Sequence, residues 1–167
     1  NGKIDVIPTI CTGAHSAKSI ESIIRPQAEA KNITFITHFN CTATNCYAQI
    51  DTRKVQQIIV NLLNNAVKYT QPGGTITWRN DICGESADSI VVTHVISDNG
   101  PGISKKFQAS MYSPFTQEDH VSSSGSGLGL AIVKKLVDIL GGTITCKSAP
   151  GQGTTFTVIL PHKKATA

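Results

Sequence analysis

The chain has 167 residues, the length of one ordinary domain, and its 40% apolar content is enough for a sizeable core. Lys and Arg total 15 against 11 Asp and Glu, and the resulting charge of +4 is scattered rather than gathered into a basic arm or an aromatic-studded stripe, so nucleic-acid binding is not indicated. No run is long and apolar enough for a membrane span or a signal peptide, and five dispersed cysteines (Cys11, Cys41, Cys46, Cys83, Cys146) complete no zinc set, which reads as reduced thiols in a cytosolic compartment.

In chain order, residues 3–7 (KIDVI) predict a short edge strand stopped by Pro8. Ser16 to Lys31 predicts a helix with Ile20, Ile23 and Ile24 on one stripe, kinked or split at Pro26. Residues 33–39 alternate like a half-buried strand, and 40–50 read as a loop. Asp51-Thr52 offers an N-cap for a helix running to about Thr70, ended by Pro72-Gly73-Gly74. Strands follow at 75–80 and 90–97 around a polar turn, and Asp98-Asn99-Gly100-Pro101-Gly102 ends the second. A short helix is predicted over 104–111, an unpatterned segment over 112–126, and a helix over 127–140. A hairpin of 143–148 and 154–160 closes the pattern, ahead of a polar tail at 162–167. Strands and helices mix without regular βαβ alternation. That predicts a single domain, 1–167, built as a two-layer α/β sandwich whose mixed, largely antiparallel sheet is covered on one face by helices.

Three stretches carry chemistry. In the helix over 52–70, Val55, Ile59, Leu62, Leu63 and Ala66 share one face, and Asn61, Asn65 and Lys68 form a second stripe at i, i+4 and i+7. Asparagine is a poor helix former, so three within five residues need a reason. A solvated face is one reading. The other is an amide oxygen for Mg²⁺ beside a lysine for phosphate. Asp98, just past an apolar strand and followed by Gly100 and Gly102, is either part of a plain turn or an acceptor for an exocyclic amine such as that of adenine. Gly125, Gly127 and Gly129 alternate directly before a helix, where bare N–H groups favour an anion. The stretch is neither a Walker A loop, since Leu128 follows Gly127, nor a Rossmann fingerprint, since no strand precedes it. The serine-rich segment ahead of it reads as a mobile lid over 112–126.

The strings NLLNNAVKYT, DNGPGI, SPFTQED, GSGLGLAI and GQGTTFTVILP occur in the order and spacing of the N, G1, F, G2 and G3 boxes. In this the chain resembles, from about Ile20 to Pro161, the catalytic ATP-binding domain of sensor histidine kinases, with SPFTQED closest to hybrid kinases. It is more distantly similar to gyrase B, the related heat-shock chaperones and MutL. The resemblance implies the Bergerat fold, ATP and Mg²⁺. Asn65, assisted by Asn61, would hold the metal. Lys68 and Tyr69 would lie along phosphates and base, and Asp98 would take the adenine amine, with Gly100, Gly102 and Ile103 shaping that wall. Gly125, Gly127, Leu128 and Gly129 would border the phosphates, Thr154 and Gly153 would back the adenine pocket, and Phe115 would anchor the lid by packing.

The chain departs from the family in the lid. Many relatives carry Arg where this chain has Gln117, and 118–124 contain no Lys or Arg, leaving His120 as the one cationic candidate there. The resemblance implies a γ-phosphoryl donor to a histidine on a separate dimerisation domain, N-terminal in a longer protein, and indirectly to a receiver domain. None of the histidines here precedes an acidic residue, so the acceptor is not in this chain. A cytoplasmic location is implied, as a free protein or the inner portion of a membrane-anchored sensor, without direct membrane or nucleic-acid contact. The other readings are a gyrase- or chaperone-type ATPase, an anti-sigma serine kinase, and a degenerate binding module. The ATPases carry a glutamate where this chain has Asn61.

Overall fold

Alternating burial sets the sheet. Along β5 (Ser89–Asp98), Ile90, Val92, His94 and Ile96 are buried, and along β7 (Thr154–Lys164) so are Thr154, Phe156, Val158, Leu160 and His162. A period of two puts these side chains on one face. The computed structural model describes residues 9–11, 13–40, 48–118 and 125–165. The strand predicted over 3–7 and most of the loop predicted over 40–50 lie outside them. The remaining strands are β1 (Thr9–Cys11), β2 (Thr34–Asn40), β3 (Ala48–Ile50), β4 (Thr75–Glu85) and β6 (Thr143–Ser148). Their order is β1-β3-β7-β5-β4-β2, with β6 also pairing along β7. All described pairings are antiparallel except β2 with β4. The expected α/β sandwich with a mixed, largely antiparallel sheet is the fold observed.

Three helices cover the buried face: α1 (Gly13–Ala30), α2 (Thr52–Tyr69) and α4 (Gly129–Ile139); a single turn, α3 (Lys105–Gln108), is N-capped by Ser104. In α2 the five residues expected to be apolar-facing are all buried, and so are Ile58 and Val67, because α2 packs against α1, α4 and β5 at once. Each buried Leu or Ile contributes roughly 1.5–3 kcal/mol. Asp51 caps α2, accepting the Lys54 N–H at 3.1 Å. At the other end Lys31 Nζ donates to the Val67 and Lys68 carbonyls at 2.8 and 2.7 Å. These carbonyls lack helical partners, and a cation suits that end of the dipole.

Several expectations need correction. α1 runs through Pro26 unbroken. Proline cannot donate to the carbonyl four residues earlier, that of Ser22, so the helix continues with one bond missing; the neighbouring Ile23 carbonyl accepts from Gln27 Nε2 at 3.0 Å. The polar stretch 81–89 is mostly strand: Asp81, Ile82 and Gly84 pair with Thr93, Val92 and Val91, a register shift at Cys83 forms a bulge, and only residues 86–88 turn. Residues 48–50 form β3, a strand too short for its period to show. The tail expected at 162–167 begins as strand. His162 is buried and β7 reaches Lys164, paired with β3. Pro161 is tolerated there because it falls between the last β6 pairing at Ile159 and the first β3 pairing at Lys163.

Two buried histidines set the acid limit of this core. Burial, with His162 adding, lowers His94 to about 3, and burial lowers His162 to about 4. Both take protons more readily once unfolded. Their contribution is therefore complete above the unfolded value near 6.5 and lost as pH falls toward 4 and 3. Each can remove up to about 1.4 kcal/mol per pH unit in that window. Urea unfolding between pH 6.5 and 5, above the range where carboxylates titrate, should show stability falling with pH. His94→Phe should reduce the slope by about half.

Candidate nucleotide site

The second stripe of α2 faces a cavity of about 290 Å³. Asn64, Asn65, Lys68 and Tyr69 form one wall, and Ile96, Asp98, Thr154 and Phe156 form the floor. Gly102, Ile103, Phe107 and Met111 close one side; Gly125, Gly127 and Gly129 close the other. Of the residues singled out in the sequence, Asn65, Lys68, Tyr69, Asp98, Gly102, Ile103, Thr154 and the three alternating glycines border this one space. Asn61, Gly100 and Leu128 do not line it. Asn61 lies a helical turn away, its Oδ1 3.8 Å from where a Cβ on Gly129 would stand. Gly100 acts behind the wall, donating its N–H to Asp98 Oδ1 at 2.9 Å. Leu128 occupies the N-cap position of α4.

Asp98 is the one carboxylate on the floor. Burial raises its pKa, while backbone N–H groups of Gly100 and Thr154 pull it down. The result is a half-buried acceptor held by backbone, with a free edge toward the cavity. Lys68 Nζ stands 4.9 Å from the Tyr69 ring centroid and close to the backbone of Gly125, where a Cβ would come within 2.6 Å of it. A cation, two amide side chains and a helix end therefore meet at one side of the cavity, and a carboxylate with apolar walls at the other.

The helix end is uncapped. Leu128 makes no side-chain hydrogen bond to α4, so among the described residues no side-chain cap occupies the first N–H groups of that helix. Of the three glycines, Gly127 is the one geometry requires. Its φ is +69°, and a Cβ would lie 2.9 Å from the Thr116 carbonyl oxygen. The Phe115 N–H donates to the Gly127 carbonyl at 3.1 Å. Phe115 thus anchors by its backbone. Against the expectation of packing, Phe115 is 77% exposed, at a backbone φ of +62°. Gln117 Nε2 donates to the Gly125 carbonyl, joining the two ends of the segment between them. Residues 119–124, with His120, lie outside the described residues.

Ser148 was not legible as a site residue. Its Oγ accepts the Ile103 N–H at 2.8 Å, donates to the Gly153 carbonyl at 2.8 Å and meets Thr154 Oγ1 at 2.9 Å. Gln108 Nε2 bridges the Ile103 and Ser148 carbonyls at 2.8 and 3.0 Å. Together they fasten the turn after Asp98 to the β6–β7 hairpin. A serine in TITCKS carries no sequence signal for this, since its partners lie 45 and 40 residues away. Cys146, half-buried beneath the site, is pushed up to about 11 by burial and by the nearby Asp98, so its thiol stays protonated and unreactive. Cys83 and Cys146 are free.

Gly102 has a φ of +75°, and a Cβ there would lie 1.9 Å from the Ala149 carbonyl oxygen. Gly102→Ala should therefore cost on the order of 1–3 kcal/mol. Gly129→Ala, at an open helical position, should be neutral or stabilising by up to about 1 kcal/mol. Chemical denaturation of the two variants separates these outcomes.

Residues 50–164 match the family model described as histidine kinase-, DNA gyrase B-, and HSP90-like ATPase. The autoinducer 2 sensor kinase/phosphatase LuxQ of Vibrio parahaemolyticus is 37% identical over 166 residues, 97% of this chain and 19% of that protein. The chain thus spans about a fifth of the length of this curated relative. Among solved structures, full-length ShkA in complex with AMPPNP superimposes with a TM-score of 0.82 at 25% identity, over 99% of this chain and 33% of that one. The mycobacterial sensor histidine kinase MprB gives a TM-score of 0.72 at 25% identity, over 95% and 99%.

Proposed function

The chain belongs to the histidine kinase-, DNA gyrase B- and HSP90-like ATPases, as a catalytic domain of the sensor histidine kinase type, and from that premise we propose that it binds Mg·ATP in the cavity between α2 and β5 and donates the γ-phosphoryl group to a histidine on a separate domain. The observation that carries this reading is the polarity of one cavity. A half-buried carboxylate, Asp98, stands at one side; the cation and the helix end stand at the other. Adenine presents an exocyclic amine and a flat apolar face; triphosphate presents charge. Asp98 suits the amine, Ile96, Met111 and Phe156 suit the ring, and Lys68 with the α4 N-terminus suits the phosphates. AMPPNP, named with ShkA, is a nucleotide of this shape.

The donor set also fits a divalent metal carried in by the nucleotide. The residues facing the phosphate side are amides, and among the described residues no cluster of His, Cys, Asp or Glu could form a dedicated cage. Mg²⁺ keeps waters and phosphate oxygens and needs few protein ligands, so Asn65, with Asn61 a turn away, supplies the right kind of oxygen. When bound, the ion would neutralise charge on the transferring phosphoryl group. Lys68 and the α4 N–H groups hold the phosphates by charge and hydrogen bonds. Asn61 cannot accept a proton, so the site has no base there to activate water. A neutral imidazole already carries a lone pair and needs no such base. The acceptor would come from a dimerisation domain in a longer protein, with a receiver domain downstream. A cytoplasmic setting accords with that arrangement, and no described helix is long and apolar enough to cross a membrane.

The decisive measurement combines calorimetry with labelled phosphate. Mg·ATP should bind, the isolated chain should hydrolyse it very slowly, and label should reach a purified acceptor domain of the parent protein. Rapid hydrolysis with no label on the acceptor would favour the ATPase class instead. Asp98→Asn should weaken ATP binding by about 1.5–3 kcal/mol, at least tenfold, through loss of a charge-assisted hydrogen bond. Because burial raises the Asp98 pKa, its ionised form is a burden on the fold above that value, and the same variant should melt higher than the parent. Weaker binding with unchanged or lower melting would separate a site role from this account of its cost.

A further inference from the structure

Asp98 stands on the floor of the nucleotide cavity, and a second carboxylate, Glu118, stands on its rim. Glu118 Oε1 accepts the Ser104 N–H at 3.0 Å. That anchor is stiff. Ser104 Oγ caps α3 by accepting the Phe107 N–H at 3.2 Å, and the N–H and carbonyl of neighbouring Ile103 are taken by Ser148 and Gln108. The chain leading to Glu118 is held as well. Thr116 Oγ1 donates to the Ser110 and Ser113 carbonyls at 3.1 and 2.6 Å. The carboxylate is therefore placed before any ligand arrives, which lowers the cost of using it.

One oxygen of that carboxylate is left over. Among the described residues, Glu118 Oε2 has no hydrogen-bond partner. It is not sealed in either. The unpartnered side-chain polar atoms closed off from solvent are those of Thr70, Trp78, His94 and Tyr112, and Glu118 is not among them. A carboxylate only accepts, so what it meets must donate.

Position narrows that donor. Gln117, one residue earlier, reaches the Gly125 carbonyl, on the side of the cavity where Lys68 stands. Glu118 reaches the backbone next to Ile103, on the apolar side. Its carboxylate thus lies along the rim between the two poles of the cavity. In ATP the donors are the adenine amine and the ribose hydroxyls; the phosphates only accept, and they repel a carboxylate. Asp98 suits the amine. The ribose, between base and phosphates, supplies the donors that remain.

We propose that Glu118 reads the sugar: its free oxygen accepts a hydrogen bond from a ribose hydroxyl and makes the site selective for ribonucleotides. The assignment rests on the nucleotide reading above and adds a specificity-determining residue to it.

The test compares Mg·ATP with the magnesium complex of 2′,3′-dideoxy-ATP, which keeps base and phosphates and lacks both hydroxyls. Calorimetry on the whole chain should show ATP binding about tenfold tighter or more. Glu118→Ala should erase most of that preference, whatever it does to either affinity alone. A Glu118 that merely fastens Ser104 acts on both nucleotides alike, so a preference that survives Glu118→Ala overturns the proposal. Thermal melting shows whether the variant is folded. If it is not, Glu118→Gln, which keeps an oxygen for the Ser104 N–H, replaces it and should also lower the preference. Equal affinity of the parent for the two nucleotides overturns the proposal and leaves the nucleotide reading standing. Failure of the parent to bind either one overturns both.

Discussion

The position of α2 is the constraint to which the site is referred. One helix supplies the central stripe of the core and a wall of the cavity, and burial fixes both at once. Val55, Ile59, Leu62, Leu63 and Ala66 rotate the helix so that Asn65, Lys68 and Tyr69 must turn to the cavity. Asp51 at one end and Lys31 at the other then set its position along the axis. A charge-assisted cap from Lys31, just past α1, thereby helps place Lys68 through its carbonyl, although Lys31 itself does not line the cavity. The cavity opposite is held with equal economy. Asp98 ends β5, and the turn after it is fastened to the β6–β7 hairpin through Ser148 and Gln108.

The sequence carried the architecture because most elements announce themselves by period, and it carried the site because motifs concentrate where backbone and side chain meet a ligand. Asn65, Asp98 and Gly127 are unusual residues for their local structures, and that is why they can be read. What stayed hidden depends on partners far along the chain. Ser148 is an ordinary strand residue until its contacts with Ile103 and Gln108 are seen. The outer half of β4 looks like a turn because its polar residues gain their strand geometry from β5, through a bulge at Cys83 that no local pattern predicts. Pro26 predicted a kink or a split, yet α1 runs through it, and Pro161 sits within β7 where its other edge passes from β6 to β3. Phe115 shows the reverse error. A large apolar residue suggests packing, but Phe115 stands exposed.

The sheet's two ends divide the work. Toward Asp98 and Thr154 the buried face opens on the larger cavity; toward Ile90 and His162 it encloses buried imidazoles. The same alternation lines both, so a residue two positions along β5 passes from one environment to the other: His94 lines a smaller, separate cavity and Ile96 the larger one.

The placement of β7 has a consequence for the order in which the molecule can be made. It is the last described strand in the sequence, yet it pairs with β5, β6 and β3 and so occupies the middle of the sheet. Until it arrives, β5 offers a bare apolar edge, and β1 and β3 have no connection to the rest of the sheet. Ser89 must find Lys163, and Ala48 must find Lys164, pairings of long range that favour slow, late closure. A chain emerging from the ribosome therefore cannot complete this domain piecemeal. It must hold its partly formed sheet in solution until residues 154–164 are free, and any shortening that removes them takes away the seam joining the two halves, not an end.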